Sequence, residues 1–127
     1  MATFKSFEEI DAWKNGRALV CEIYKLTTKA PFAKDWGLKD QIQRAAVSIC
    51  SNIAEGYGRR GNKEFVKFLW IAKGSAAEVA SQVYHAKDLG YVTNEEFKRI
   101  YDDAGKISAE TYSLIKYLST DIQHKKV

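Results

Sequence analysis

Three polar side chains recur at helical spacing within the mostly apolar segment "SICSNIAEG". Ser48, Asn52 and Glu55 are separated by four and three residues, which places them on one side of a helix. A hydroxyl, an amide and a carboxylate are groups that acid-base or nucleophilic catalysis uses. Buried polar groups also need hydrogen-bond partners, so the same three residues suit a structural polar seam between helices or against the following turn. We favour this structural interpretation of the polar seam, Ser48, Asn52 and Glu55.

The residues around the polar seam lack the partners that catalysis requires. Ser48 and Ser51 have no histidine close in sequence to act as a base, so only an approach of His85 in the fold would supply one. We therefore expect no catalytic residues and a protein that is not an enzyme.

No cofactor or metal motif is present. Gln82 and His85 have the spacing of a di-iron Glu-x-x-His pair but lack its carboxylate. Cys21 and Cys50 have no zinc-site spacing, and we expect both to be buried thiols in a reducing compartment. The segment "EGYGRRGNKEF" lacks the phosphate-loop spacing, so its glycines are interpreted as a helix stop and turn. The sequence thus predicts neither a metal nor a cofactor.

Positive charge is concentrated around this glycine-rich turn. Residues 34–67 contain seven basic and four acidic side chains, whereas residues 93–123 contain four basic and six acidic ones. Clustered cations with Tyr57 beside them are typical of phosphate contacts, although an ordinary solvated turn is the alternative. The side chains predicted to contact RNA or DNA are Arg44, Arg59, Arg60, Lys63 and Lys67. We call the last four the basic turn.

Helical periodicity and capping signals divide the chain into four helices. Ser6 with Glu9, and Thr93 with Glu96, have the spacing of a capping box, while Asn62 is a predicted N-cap. The predicted helices cover residues 7–29, 38–56, 62–89 and 94–121. The predicted core stripe of the second helix is Leu38, Ile42, Ala45, Ile49, Ile53 and Gly56.

Length and composition indicate how these helices assemble. The 127 residues are 46% apolar and 28% charged with a single proline, which favours one compact domain. Four amphipathic helices with short connections and no alternating β pattern predict an all-α, antiparallel, up-down-up-down four-helix bundle.

The second and third helices carry more apolar surface than such a bundle needs. Large apolar side chains on more than one face suggest self-association, although a small bundle also leaves some aromatic rings half-exposed. The apolar residues outside the core stripes are Val47, Cys50 and Ala54 on the second helix and Val66, Trp70, Ala77 and Tyr84 on the third.

The apolar runs are too short for a membrane protein. Each is only a few residues long, against the roughly 20 that cross a bilayer, and "MATFKSFEEIDAW" lacks a signal-peptide pattern. We expect a cytoplasmic protein without membrane contact.

The run "QIQRAAVSICSNIAEGYGRRGNKEFVKFLWIAKGSAAEV" resembles the four-helix-bundle proteins associated with intervening sequences in 23S ribosomal RNA genes. Its most diagnostic parts are "SNIAEGYGR" and "FLWIAKGSAAE", and the likeness extends from "FEEIDAWKNG" to the fourth helix. The positions that match the family pattern are Asn52, Glu55, Gly56 and Arg59, followed by Phe68, Leu69, Ala72, Gly74 and Ser75.

The resemblance implies a small bacterial bundle that forms a ring-like homopentamer. It also implies a relation to the accessory variability determinant protein of diversity-generating retroelements, which acts with a reverse transcriptase and binds nucleic acid through basic surfaces. The family supplies no catalytic residues. Our leading hypothesis is a non-enzymatic oligomeric bundle that binds RNA or DNA, and the alternative is an interaction scaffold for a reverse transcriptase or ribosomal component.

Overall fold

Four α-helices account for most of the chain in the computed structural model. The structure describes residues 4–126, with side chains for residues 4–122, and no strand occurs in that part of the chain. The helices are α1 Asp11–Thr27, α2 Trp36–Gly58, α3 Asn62–Asp88 and α4 Asn94–Lys126, with short 3-10 turns at Phe7–Glu9 and Phe32–Lys34.

Consecutive helices pack side by side, and α4 returns to contact α1. The connections between them are short, so neighbouring helices run in opposite directions. The predicted all-α, up-down-up-down four-helix bundle is confirmed.

Each helix buries one apolar stripe in a common core. The predicted α2 stripe is buried apart from Leu38, which is half-buried. Thr27 and Thr111 are the polar exceptions on α1 and α4, and each hydroxyl donates to the carbonyl four residues earlier. The largest fully buried side chains are Phe32, Ile10, Leu19, Ile23, Ile42, Ile49, Ile53, Leu69, Ile100, Ile107, Leu118 and Val79.

The start of α4 matches its sequence signal, whereas the start of α1 does not. Glu96 N donates to Thr93 Oγ1 at 3.0 Å and Thr93 N donates to Glu96 Oε1 at 2.8 Å, which completes the predicted capping box. Ser6 makes no side-chain cap, and Glu9 instead accepts from the backbone N of Lys5 at 2.9 Å. Residues 7–9 form only a 3-10 turn, so the prediction that the first helix begins at residue 7 is wrong.

The boundaries of α2, α3 and α4 also differ from the prediction. The Asp35 side chain accepts from the backbone N of Leu38, and α2 therefore begins at Trp36. At the start of α3 the N-cap position is Gly61, whose φ of 88° suits glycine. The Asn62 amide, wrongly predicted as the cap, donates to Asp121 of α4 at 2.6 Å. Helix α4 continues five residues past the predicted end at 121.

Two glycines allow α2 to approach its neighbours closely. A Cβ at Gly56 would lie 2.6 Å from Phe68 Cβ and 3.1 Å from Phe65 Cδ1 of α3. A Cβ at Gly16 of α1 would lie 2.9 Å from Cys50 Sγ of α2. Gly56 therefore fixes the contact between α2 and α3 next to the turn that joins them.

Candidate nucleic-acid interface

Ser48 of the polar seam connects α2 to α3, and Asn52 supports it from one turn further along α2. Ser48 Oγ lies 2.8 Å from Ser75 Oγ, which is buried on α3. Asn52 Nδ2 donates to Ser48 Oγ at 2.9 Å and to the Ser48 carbonyl at 2.8 Å. The three groups satisfy one another, so this part of the seam is a structural contact between helices.

Glu55 does not take part in that contact between α2 and α3. Its carboxylate accepts from Arg59 Nε at 3.1 Å and Nη2 at 2.8 Å, and both side chains are about half-exposed. The Arg59 guanidinium also lies 5.0 Å above the Phe68 ring. Glu55 therefore orients Arg59 of the basic turn, which fits the predicted contact of the seam with the following turn rather than a contact between helices.

The basic turn presents its cations to solvent at one end of the bundle. Arg60 and Lys63 are exposed and have no ion-pair partner among the described residues. Lys67 pairs with Glu64 at 3.4 Å. Exposed ion pairs of this kind contribute about 0 to 1 kcal/mol, so giving up these carboxylate contacts would cost Arg59 and Lys67 little.

Arg44 lies far from the basic turn. It precedes Arg59 by 15 residues on α2, or about 22 Å along the helix axis. Its Nε donates to Asp40 at 2.9 Å. The structure thus does not bring Arg44 together with the other four cations predicted to contact nucleic acid.

Arg44 and Ser48 instead line two open grooves beside α2. One has a volume of 550 Å³ and is bordered by Tyr24 and Val47, and the other has a volume of 290 Å³ and is bordered by Gln82. Gln82 Nε2 donates to the side-chain oxygen of Gln41 at 3.2 Å, while Gln82 Oε1 is buried without a partner in the described structure. The two linings contain hydroxyl, amide and guanidinium groups together with the carboxylates of Asp40 and Glu78.

His85 does not approach the seam serines. It is exposed on α3, ten residues or about 15 Å beyond the Ser75 that contacts Ser48. His85 is therefore not placed to act as a base for Ser48. No group of three or more potential metal ligands occurs among the described residues.

The two cysteines lie in different environments. Cys50 is partly buried, its thiol donates to the Trp13 carbonyl at 3.6 Å, and burial raises the pKa of the Cys50 thiol to about 11. Cys21 is exposed, so the prediction that both thiols are buried is wrong for Cys21.

A second basic surface lies on the outer side of the contact between α3 and α4. The rings of Trp70 and Tyr112 are 6.0 Å apart, and the Nζ atoms of Lys73 and Lys116 lie 5.9 and 5.8 Å from the Tyr112 ring centroid. We call these four residues the aromatic platform. Periodicity identified Trp70 as surplus apolar surface but missed Tyr112, although the alternation of Tyr and Lys in "TYSLIKY" is a usable signal.

Within the described residues, no helix is long and apolar enough to cross a bilayer.

Comparisons with known proteins agree with this fold. Among proteins with curated functions, none matches the chain. A crystal structure of a protein with unknown function from the S23 ribosomal protein family of Bacteroides thetaiotaomicron is 25% identical and superimposes with a TM-score of 0.76. The match covers 83% of this chain and 98% of that one. The family model for the 23S rRNA-intervening sequence protein matches residues 8–113. The chain therefore belongs to the 23S rRNA-intervening sequence protein family.

Proposed function

We propose that this protein is a non-enzymatic helical bundle that binds RNA or DNA through phosphate contacts at the basic turn. The observation that carries the proposal is the exposure of Arg60 and Lys63 without carboxylate partners in the described structure, beside Arg59 and Lys67. The family is named for sequences that intervene in 23S rRNA, which motivates RNA as the first ligand to test. The Ser48 hydroxyl is held by Ser75 and Asn52, and this structural role of the seam supports the non-enzymatic part of the proposal.

Binding of this kind depends on charge more than on base sequence. Each phosphate that a cation neutralises releases condensed counterions, so affinity falls steeply as salt rises. Phosphate contacts carry no direct sequence information. We therefore expect the basic turn to bind different sequences with similar affinity.

Fluorescence anisotropy with a labelled single-stranded RNA of about 12 nucleotides tests the proposal. Replacing Arg60 and Lys63 by Gln weakens binding of every sequence and makes the plot of log K against log salt shallower by about 1.4, because two phosphate contacts are lost. Lys25→Gln with Lys29→Gln is the matched control, since both lysines are exposed near the far end of α1. Equal effects of the two double variants, or no binding of RNA or DNA at low salt, would contradict the proposal.

We also propose that the protein is a cytoplasmic homo-oligomer. The form we propose is the homopentamer that the family resemblance implies. Tyr24 and Val47, which border the larger groove between α1 and α2, are 42% and 39% exposed. Covering such apolar groups is the usual gain of self-association. The unpaired thiols of Cys21 and Cys50 support a reducing compartment.

An interaction scaffold without direct nucleic-acid binding is the second candidate function. Trp70 and Tyr84 are 50% and 46% exposed on α3. Exposed aromatic side chains are enriched in protein interfaces, so they could contact a reverse transcriptase or a ribosomal component. Capture from a lysate before and after nuclease treatment separates the two functions, because a protein partner stays bound when nucleic acid is digested. A partner lost on nuclease treatment favours nucleic-acid binding.

A further inference from the structure

Two aromatic rings of the aromatic platform stand open to solvent on adjacent helices. Trp70 of α3 is 50% exposed and Tyr112 of α4 is 43% exposed, and their rings are tilted by 60°. Because the rings are not stacked on each other, each keeps area for another flat group. Exposed aromatic rings of this kind, here with centroids 6.0 Å apart, are suited to stacking on the planar faces of nucleobases.

Positive charge surrounds these rings, and the nearby carboxylates are directed elsewhere. Lys73 of α3 and Lys116 of α4 both place their Nζ atoms close to the Tyr112 ring centroid, at 5.9 and 5.8 Å. Glu78 of α3 lines the groove on the α2 side, and the Glu110 carboxylate is bound by the Asn15 amide of α1 at 2.8 and 2.9 Å. The surface therefore combines π faces with cations, the combination that binds single strands.

The α3 residues of the aromatic platform and of the basic turn follow one another along one face of that helix. Lys63 precedes Trp70 by seven residues, or two helical turns, which is about 10 Å along the axis. Exposed Lys67 lies between them. A strand whose phosphates reach the basic turn is thus within a few nucleotides of the rings.

We propose that the aromatic platform stacks unpaired bases of a single-stranded nucleic acid whose phosphates contact Lys73, Lys116 and the basic turn. The inference rests on the proposed function and deepens it by specifying that the ligand is single-stranded. In a duplex the bases are paired and stacked on each other, so a duplex would contact the lysines and arginines but not the two rings. A protein partner fits less well, because lysine is depleted at the core of protein interfaces.

Anisotropy with an oligouridine of about 12 nucleotides and with a hairpin duplex tests the inference. Trp70→Leu with Tyr112→Leu removes two stacking contacts and lowers affinity for the single strand by about 30-fold or more, while the salt dependence and duplex binding stay unchanged. Trp70→Phe with Tyr112→Phe keeps both rings and restores most of the affinity. Trp36→Leu is the matched control, since Trp36 is 77% exposed beside Lys39 on α2.

Tryptophan fluorescence gives a second measurement that does not depend on a platform variant folding. In a Trp36→Phe background only Trp70 and the half-buried Trp13 remain, and oligouridine quenches the emission if a base stacks on Trp70. The role of the aromatic platform would be refuted if oligouridine binds without quenching, if duplex binds equally well and if the leucine variants bind RNA normally. That result would not count against the basic turn.

Loss of self-association in the leucine variants with unchanged RNA affinity would assign the surface to a second copy instead. Failure of the Arg60 and Lys63 variants to weaken any binding would count against the proposed function itself.

Discussion

At the scale of single residues, Ser48 is the member of the polar seam with the clearest structural role. Its hydroxyl is shared between Ser75 of α3 and Asn52 one turn further along α2. Ser75 is only 4% exposed, so its hydroxyl has little access to replacement water. A partly buried hydrogen-bond chain of this kind favours one axial position of α2 against α3, because a shift of either helix leaves polar groups without partners.

Removing either hydroxyl should therefore lower stability. We expect Ser48→Ala and Ser75→Ala each to reduce the free energy of unfolding by about 1 to 2 kcal/mol. Ser48→Ala leaves the buried Ser75 hydroxyl without this partner, and Ser75→Ala leaves Ser48 with Asn52 alone. The double variant should cost less than the sum, since the second change removes the unpaired group. Urea unfolding measures the free energy lost in each single variant and in the double variant. Ser51→Ala, at an exposed position of α2, is the control, and an equal loss there would refute the role assigned to the seam.

At the scale of the helices, apolar spacing was sufficient to predict four elements but not their ends. The α2 stripe is buried as predicted, because burial of Ile42, Ile49 and Ile53 follows directly from helical spacing. The ends depend on three-dimensional contacts instead. Asn62 has cap chemistry, yet Asp121 lies beside it only because α4 packs there. Residues 7–9 likewise form only a 3-10 turn, because the backbone becomes extended at Ile10 and the turn does not continue into α1.

The same reason limits prediction of the candidate site. Helical spacing placed Glu55 near Ser48, but the outward direction of its side chain depends on Arg59 at the next turn. Arg44 was grouped with the basic turn because both contribute to the positive charge of residues 34–67. Net charge does not show that Arg44 lies about 22 Å from Arg59 along the α2 axis. Tyr112 was missed because its partner Trp70 is distant in sequence. Local patterns predicted the cations, whereas packing decides which groups lie together.

Two glycines on neighbouring helices should respond to alanine in opposite ways. Gly56→Ala should lower the free energy of unfolding by about 1 to 3 kcal/mol, because the new Cβ would meet Phe68 Cβ at 2.6 Å. Gly74→Ala, in the middle of α3 with nothing within 4 Å, should raise stability by about 0.5 to 1 kcal/mol. Thermal unfolding of both variants checks the pair. A neutral Gly56→Ala would show that α2 and α3 are free to separate.

At the scale of the whole molecule, the three candidate surfaces lie on different parts of the bundle. The basic turn closes the end where α2 meets α3, and the aromatic platform lies along α3 and α4. The groove bordered by Tyr24 and Val47 lies between α1 and α2. Self-association through that groove would leave both nucleic-acid surfaces open and repeat them in every copy. Repetition raises the local positive potential and allows several weak contacts to act on one strand.

A charge introduced into the α1 and α2 groove should therefore break the assembly. We expect light scattering to give a mass of several 14.4 kDa chains for the native protein and a smaller mass for Val47→Glu, because burying an unpaired carboxylate is costly. Ala109→Glu adds the same charge at an exposed position of α4 and should leave the mass unchanged. RNA affinity of Val47→Glu should fall through lost multivalency, while its binding to a strand too short to bridge two copies stays the same. A native protein that is monomeric over a wide concentration range would contradict the assembly, and equal masses of the two variants would place the contact on another face.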